Sequence, residues 1–519
     1  MKAIDMPNYE KAGSREWLGL ATLALPTLLV SMDMTVIYLA IPSISAALKP
    51  SSSQMLWITD AFGFFEAGML ITMGTLGDRV GRRRLLLYGA VAFAIASAIA
   101  AFSNSAGMLI AARALLGIAG STLLPSTLSL IRNMFHNERQ RTFAIGIWTT
   151  CFSTGTLLGP FVGGFLLAHF WWGSVFLMGV PIMILLLLLA PALLPEFKSP
   201  IKESFDIFSA FLSFIAVLVT IYGIKQIAQN GLNWPPLIAV AAGFVTGLVF
   251  IRRQKTTDHP LIDLSLFKPE FTVTLIAFMI ALFGWAGTYL FITQHLQLVL
   301  GMTPFTAGLW TIPAAAGSVA GCMLAPVALR RFRNGFVMAA GMGVMTIGML
   351  MLWQTGTATG LAFFICATIL ISTGCGTAVT TCQSIVLTSA PPDKAGTAAG
   401  LAETSATYGG ALGVALLGSL GTVVYHTQMT GTVLKNVSGE AAETIQSTLG
   451  GAVSALAKLP RRQSDDLLIV ARMAFEQSFR LVAVITAGIT IIIAAVVGLR
   501  LKRMGERQDL MTQPAPDRV

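Results

Sequence analysis

The chain has 519 residues, 55% of them hydrophobic and only 11% charged, which leaves too little polar surface to cover a water-soluble fold. Its apolar runs reach the roughly 20 residues that cross a bilayer, whereas a barrel needs strands of about ten alternating residues, so the fold class is all-α and polytopic. A net charge of +10 would suggest nucleic acid in a soluble protein; here the basic residues cluster in short loops, as membrane topology requires, and no nucleic-acid partner is expected.

In chain order, hydropathy marks about fourteen spans, at roughly 17–41, 54–76, 85–103, 108–129, 142–168, 174–195, 207–228, 236–252, 271–298, 306–328, 336–354, 361–388, 396–424 and 479–499. The first run is long and has no small-residue cleavage site, so it reads as a retained helix. An even number of spans returns both termini to one side. Lys11 and Arg15, Arg79 to Arg84, Arg132 to Arg141, Arg252 to Lys255, Arg330 to Arg333 and Arg500 to Arg507 share that side, which makes it the cytoplasm. The segment from His426 to Phe475 carries Lys458, Arg461, Arg462 and Arg472, but long loops determine topology weakly, and it is expected outside, where parts of it can form a helical hairpin. Polar interruptions at Lys198 to Ser204 and Arg252 to Lys268 divide the chain into a six-helix bundle (1–200), a two-helix insert (201–260) and a second six-helix bundle (261–519) with a long external loop at about 426–477. Cys151, Cys322, Cys366, Cys375 and Cys382 lie in or beside spans without metal-ligand spacing and read as packing residues; no metal is expected.

Four acids fall inside predicted spans: Asp33, Asp60, Glu66 and Glu403. Glu66 lies about 18 Å from the start of its helix, near the centre of a core about 30 Å thick. Asp33 falls in the outer part of the first helix and Glu403 in the inner part of the thirteenth, so acids of both bundles can border one cavity. A carboxylate in an oily interior holds either a proton or an organic cation, and not both comfortably. Arg113 in the fourth span costs about 2.5–3.5 kcal/mol there, so it needs a partner, a wet cavity or a path to the interface. Between the second and third spans, Gly74-Thr-Leu-Gly-Asp78-Arg79-Val-Gly81-Arg82 can make ion pairs and place a carboxylate at the positive end of a neighbouring helix, or simply fix topology as a basic loop. Gly155, Gly159, Pro160, Gly163 and Gly164 in the fifth span mark close helix contact or a bend, since each glycine costs a helix about 1 kcal/mol and proline about 3. Tyr38, Trp57, Phe64, Phe65, Trp148, Phe152, Trp285, Phe291, Trp310 and Tyr408 are candidate walls for a cavity that takes delocalised cations.

The loop from Gly74, Arg113 with Gly117, and the passage from Gly155 to Gly164 together resemble three signatures of the major facilitator superfamily. Fourteen spans, Met32-Asp33-Met34-Thr35 and Leu56-Trp57-Ile58-Thr59-Asp60 narrow the resemblance to its drug:proton antiporter-2 family, in particular quaternary-ammonium and methyl-viologen efflux pumps. The resemblance implies a 6+2+6 arrangement and alternating access between bundles. It also implies a switch at Gly74, Asp78, Arg79, Gly81 and Arg82, in which Asp78 faces the start of the thirteenth helix near Gly396 when the cavity opens outward. Arg113 would couple protons, and the Gly155 to Gly164 passage would be hinge and seal. Two departures stand out: the second-half pseudo-repeat Leu329 to Gly335 lacks the acid, and Ser318 stands where some dication exporters carry an aspartate.

The expectation is therefore a proton-coupled exporter of lipophilic or quaternary cations. It would be a monomer in a bacterial cytoplasmic membrane, with both termini inside, contacting lipid, protons and small cations and needing no cofactor beyond the proton gradient. An exporter of an endogenous amphiphile such as a lipid, fatty acid or siderophore is the alternative; a non-transporting sensor is more remote. No nucleotide-binding loop or nucleophile elbow suggests an enzyme.

Overall fold

The computed structural model describes residues 12–50, 52–198, 206–230, 233–257, 260–262, 264–354, 360–391, 394–430, 442, 445–446, 448–456 and 461–512. Among the described residues every regular element is helical. The first group is α1 (Ser14–Leu48), α2 (Ser52–Val80), α3 (Arg82–Ala101), α4 (Ala106–Met134), α5 (Glu138–His169), α6 (Ser174–Leu177) and α7 (Gly179–Leu193). A hairpin of α8 (Ile207–Asn230) and α9 (Trp234–Thr256) follows. The last group is α10 (Pro269–Gln294), α11 (Pro304–Ala328), α12 (Asn334–Trp353), α13 (Leu361–Ser389), α14 (Ala395–Leu412), α15 (Gly418–Thr430), α16 (Leu449–Leu456) and α17 (Arg461–Thr512). One-turn π-helices at His295–Val299 and Gly413–Leu417 continue α10 and join α14 to α15.

Local chemistry sets several starts. Ser105 accepts from the Met108 amide, Asn137 from Arg139 and Gln140, and Thr303 from Thr306, each satisfying an orphan donor of the first turn. Among the described residues twelve helices are long and apolar enough to cross a membrane, or thirteen when α5, bent by 41° between Thr156 and Phe161, counts as one span. The 29-residue α2 falls outside that count. It carries Asp60 and Glu66 along its length, and with it included the element order is consistent with fourteen.

Two of the apolar cores lie within the bundles, and a third, around Phe250, Phe271, Phe278 and Met342, joins the hairpin to the second of them. Of the first two, one joins α1 to α7 around Phe62, Phe93, Leu116 and Trp148; the other joins α10 to α17 around Phe291, Met345, Phe364 and Phe479. The α8–α9 hairpin touches the first group through α2, where Phe64 and Ala67 pack on Val217 and Ile221. Its opposite end is tied by polar bonds. Asp206 pairs with Arg253 at 3.0 Å, Gln254 donates to Ser209 at 2.9 Å, and the Leu261 amide donates to Gln254 at 2.6 Å. Partial burial works against the charge of Asp206, but the bonds from Ser209 and Arg253 outweigh it and hold the carboxyl below the ordinary carboxylate value.

One expectation needs correction. The last helix runs for 52 residues from Arg461, so 461–477 belongs to it and not to a loop. Hydropathy marks only the oily part of such a helix and misses the turns that carry Asp465, Asp466 and Arg472. Residues 431–441 of the expected loop, together with the side chains of Tyr38 and Pro160, lie outside the described residues.

Candidate transport site

Asp33 on α1 and Arg113 on α4 form a buried ion pair, with 3% and 1% of their surfaces exposed. Arg113 Nε donates to the Ile58 carbonyl of α2 at 3.2 Å, and the guanidinium lies over the Phe62 ring at 5.0 Å. The arginine therefore neither snorkels nor faces lipid: three helices of the first bundle close around it.

Glu66 is 3% exposed, and its Oε1 has no hydrogen-bond partner among the described residues. It lies within electrostatic range of Glu403, Asp33 and Arg113. Contact between α2 and α14 explains why. A Cβ at Gly74 would come within 2.5 Å of the Gly396 carbonyl, and one at Gly400 within 2.7 Å of the Leu70 carbonyl. These pairs run antiparallel, so one more turn brings Glu66 beside Glu403 and Thr404. Glu403 accepts from Gln383 Nε2 of α13 at 2.6 Å. An acid from each bundle thus borders the same seam.

At the end that carries the basic loops, Asp78 accepts from the Thr397 amide and hydroxyl, both at 3.1 Å, and pairs with Arg82. Thr75 donates to the Leu261 carbonyl at 3.0 Å, with the Thr397 hydroxyl 3.3 Å away. Arg82 is fully buried beneath Gly396, where any side chain would strike its guanidinium, and its Nε and Nη1 have no partner among the described residues. Gly81 takes φ +118°, which glycine adopts most easily, and leaves room for Glu196, whose Oε1 accepts from the Arg83 amide at 3.1 Å. Arg79 Nη2 reaches the Pro260 carbonyl at 3.5 Å. Further contacts between the groups fall at the same end, Thr142 with Ser384 at 3.3 Å and Arg132 with the Pro391 carbonyl at 3.5 Å. In this conformation that end is closed.

Asp60, toward the other end of α2, pairs at 2.7 Å with Lys225 of α8. Lys225 Nζ lies over the Phe64 ring at 4.7 Å, and Trp57 stacks on Tyr222 at 6.0 Å and 12°. Neither Lys225 nor Tyr222 was picked out by sequence. The signal available was a single lysine close to the end of an apolar span.

The remaining residues divide. Gly155, Gly159 and Gly163 lie on one face of α5 and turn toward Ser31, Thr35 and Val36 of α1, and Thr35 donates to the Thr156 carbonyl at 3.1 Å. This close approach lies within one bundle, not between two, because the four-residue spacing keeps all three on the α1 side; Gly164 faces open space. Trp148, with Phe152 stacked on it, donates to Thr127 in the first core, and Phe291 stacks on Phe479 in the second. Phe65 packs on Phe214, and Tyr408 joins the cluster of Trp57, Phe64 and Tyr222. Trp285 and Trp310 line a separate pocket with Tyr289 and Phe364. Ser318 lies 3.4 Å from Ser153 of α5.

The family model for the Major Facilitator Superfamily matches residues 23–414. The chain is 41% identical to the multidrug efflux pump LfrA of Mycolicibacterium smegmatis over 96% of its length and 98% of the relative's. It is 33% identical to the methyl viologen resistance protein SmvA of Salmonella typhimurium, over 93% and 97%. The fold is shared with the human organic anion transporter MFSD10, at a TM-score of 0.58 and 14% identity, covering 89% of this chain and 99% of that one. An inward-facing bacterial homologue of Spinster gives 0.52 at 18% identity, covering 95% and 98%. Signature loop, seam of acids and these likenesses agree: the chain belongs to the Major Facilitator Superfamily, and its work is transport rather than catalysis of a reaction.

Proposed function

We propose that the chain is a proton-coupled drug efflux antiporter that exports lipophilic and quaternary organic cations by alternating access. The observation that carries this reading is the seam between α2 and α14, where Glu66, with an unbonded oxygen, and Glu403 meet from opposite bundles. Two such acids next to each other share protons or a bound cation more readily than they share two negative charges. The multidrug efflux pump among the relatives supports a drug-like cargo, and the methyl viologen resistance protein, named for a dication, supports a cationic one.

On this reading residues 1–200 and 261–519 are the bundles that rock, and 201–260 is the insert. The protein is a monomer in a bacterial cytoplasmic membrane with both termini inside. A cation enters from the cytoplasm and displaces a proton from the seam; the bundles rock; the Asp78 contact with Thr397 closes the inner end; external protons then discharge the cargo. Each charge moved through 100 mV supplies about 2.3 kcal/mol, roughly a fiftyfold concentration ratio. An endogenous anionic amphiphile fits less well, because both basic side chains at the site, Arg113 and Lys225, are paired with acids.

The test is tetraphenylphosphonium uptake by proteoliposomes with and without an imposed pH step. Accumulation that follows the step is expected. Flux indifferent to it removes proton coupling, and competition by fatty acids but not by ethidium would favour the amphiphile.

A further inference from the structure

Lys225 stands where a cargo cation would stand. Its ammonium touches the Asp60 carboxylate at 2.7 Å and the face of Phe64 at 4.7 Å. Trp57, Phe64 and Tyr222 contact one another with centroids 5.9 to 6.3 Å apart, an aromatic cluster on α2 and α8 whose Phe64 face meets the ammonium. One carboxylate with several aromatic faces is the set of groups that holds a quaternary ammonium. The lysine is not sealed in. Its side chain is 35% exposed and that of Asp60 15%, in contrast to the Asp33–Arg113 pair at 5% and 1%. Lys225 is also five residues from the Asn230 end of α8, and a lysine on a four-carbon stem can swing its ammonium to the interface from there.

We propose that the Asp60–Trp57–Phe64–Tyr222 cage is a binding site for organic cations and that Lys225 is its resident, tethered competitor, displaced when cargo arrives. The proposal rests on the efflux reading above and adds to it the role of the inserted hairpin. Exchange of one cation for another keeps the site neutral, so cargo binds without leaving a bare charge in the membrane. A tethered ammonium acts at an effective concentration in the millimolar range, which holds affinity down and favours release.

Equilibrium binding of radiolabelled tetraphenylphosphonium to the purified full chain tests this. Lys225→Met removes the competitor and is expected to tighten binding at least tenfold; Asp60→Asn in the same background is expected to abolish the gain. An affinity unchanged or weaker in folded Lys225→Met protein overturns the proposal, since a merely structural counter-ion would weaken the site when removed. Should Lys225→Met not fold, Tyr222→Leu decides. A fivefold or greater loss of affinity supports the cage, and an unchanged affinity overturns it. Wild-type protein that neither binds nor exports the probe overturns the efflux reading and the cage together, whereas wild-type protein that exports it while these variants bind as wild type overturns the cage alone.

Discussion

The two halves of the α2–α14 seam are built on opposite plans. From Leu70 to Asp78 the helices touch backbone to backbone, with Gly74, Gly396 and Gly400 leaving no side chain between them and Thr397 bonding the Asp78 carboxylate twice. One turn further in, the same helices carry Glu66 and Glu403, large acidic side chains with fewer bonds among the described residues than they can make. Closeness suits a contact that must form in one geometry, and buried Arg82 has two donors without a partner among the described residues, a cost to that geometry. Looseness suits groups that must accept visitors. On the proposed reading one helix serves as clasp and as host, and the transition between the roles takes about one turn.

The contrast can be broken by substitution, starting with the largest effect. Asp33→Asn leaves Arg113 buried without its charge partner, and breaking a buried pair costs about 3–5 kcal/mol. A large drop in thermal stability and loss of cation transport are expected. Adding Arg113→Met should restore much of the stability but not the transport, as scintillation uptake beside a melting curve would report; recovered transport would make the pair a scaffold only. Gly74→Val drives a side chain against the Gly396 carbonyl, overpacking worth about 1–3 kcal/mol. The closed end should then populate less, and cysteine cross-linking between α2 and α14 at that end should fall with export. Cross-linking at wild-type yield would show the contact to be less tight than the glycines indicate. Thr397→Val removes a hydroxyl that donates to a charged group, a loss of about 1.5–3 kcal/mol to the closed state. It should bias the protein toward the opposite opening, as alkylation of residues at the Asp78 end would detect. Glu66→Gln should change stability least, within about 1 kcal/mol. It should still impair export of some cations, and unaltered export of every cation tried would leave Glu66 as packing.

Much of this was legible in the residues. Asp33, Arg113 and the Gly74 to Arg82 loop were recognisable because a charge in an oily run is costly and glycines beside it require close approach. The neighbourhood of Asp78 and Gly396 followed from the family resemblance. What sequence could not supply was partnership across distance. Lys225 is separated from Asp60 by 165 positions, and nothing local says that a lysine near a span's end turns inward rather than toward headgroups. Helical wheels likewise cannot say which neighbour a glycine face meets, so the packing of Gly155, Gly159 and Gly163 on α1 is visible only in the structure. The length of α17 was hidden because hydropathy ends where the oil ends, while the helix continues through charged turns.

The polar tie at the base of the hairpin has a wider reach. Ser209 holds Gln254, Gln254 holds the Leu261 amide, and the Leu261 carbonyl receives Thr75, whose hydroxyl adjoins Thr397 and so the Asp78 contact. A pair of helices that looks like a spacer is thereby bonded, residue by residue, to the Asp78–Thr397 contact. Excising it to make a twelve-helix chain would do more than shorten the protein: it would remove Gln254, which holds the Leu261 and Ile262 amides, and so loosen the segment whose carbonyl receives Thr75.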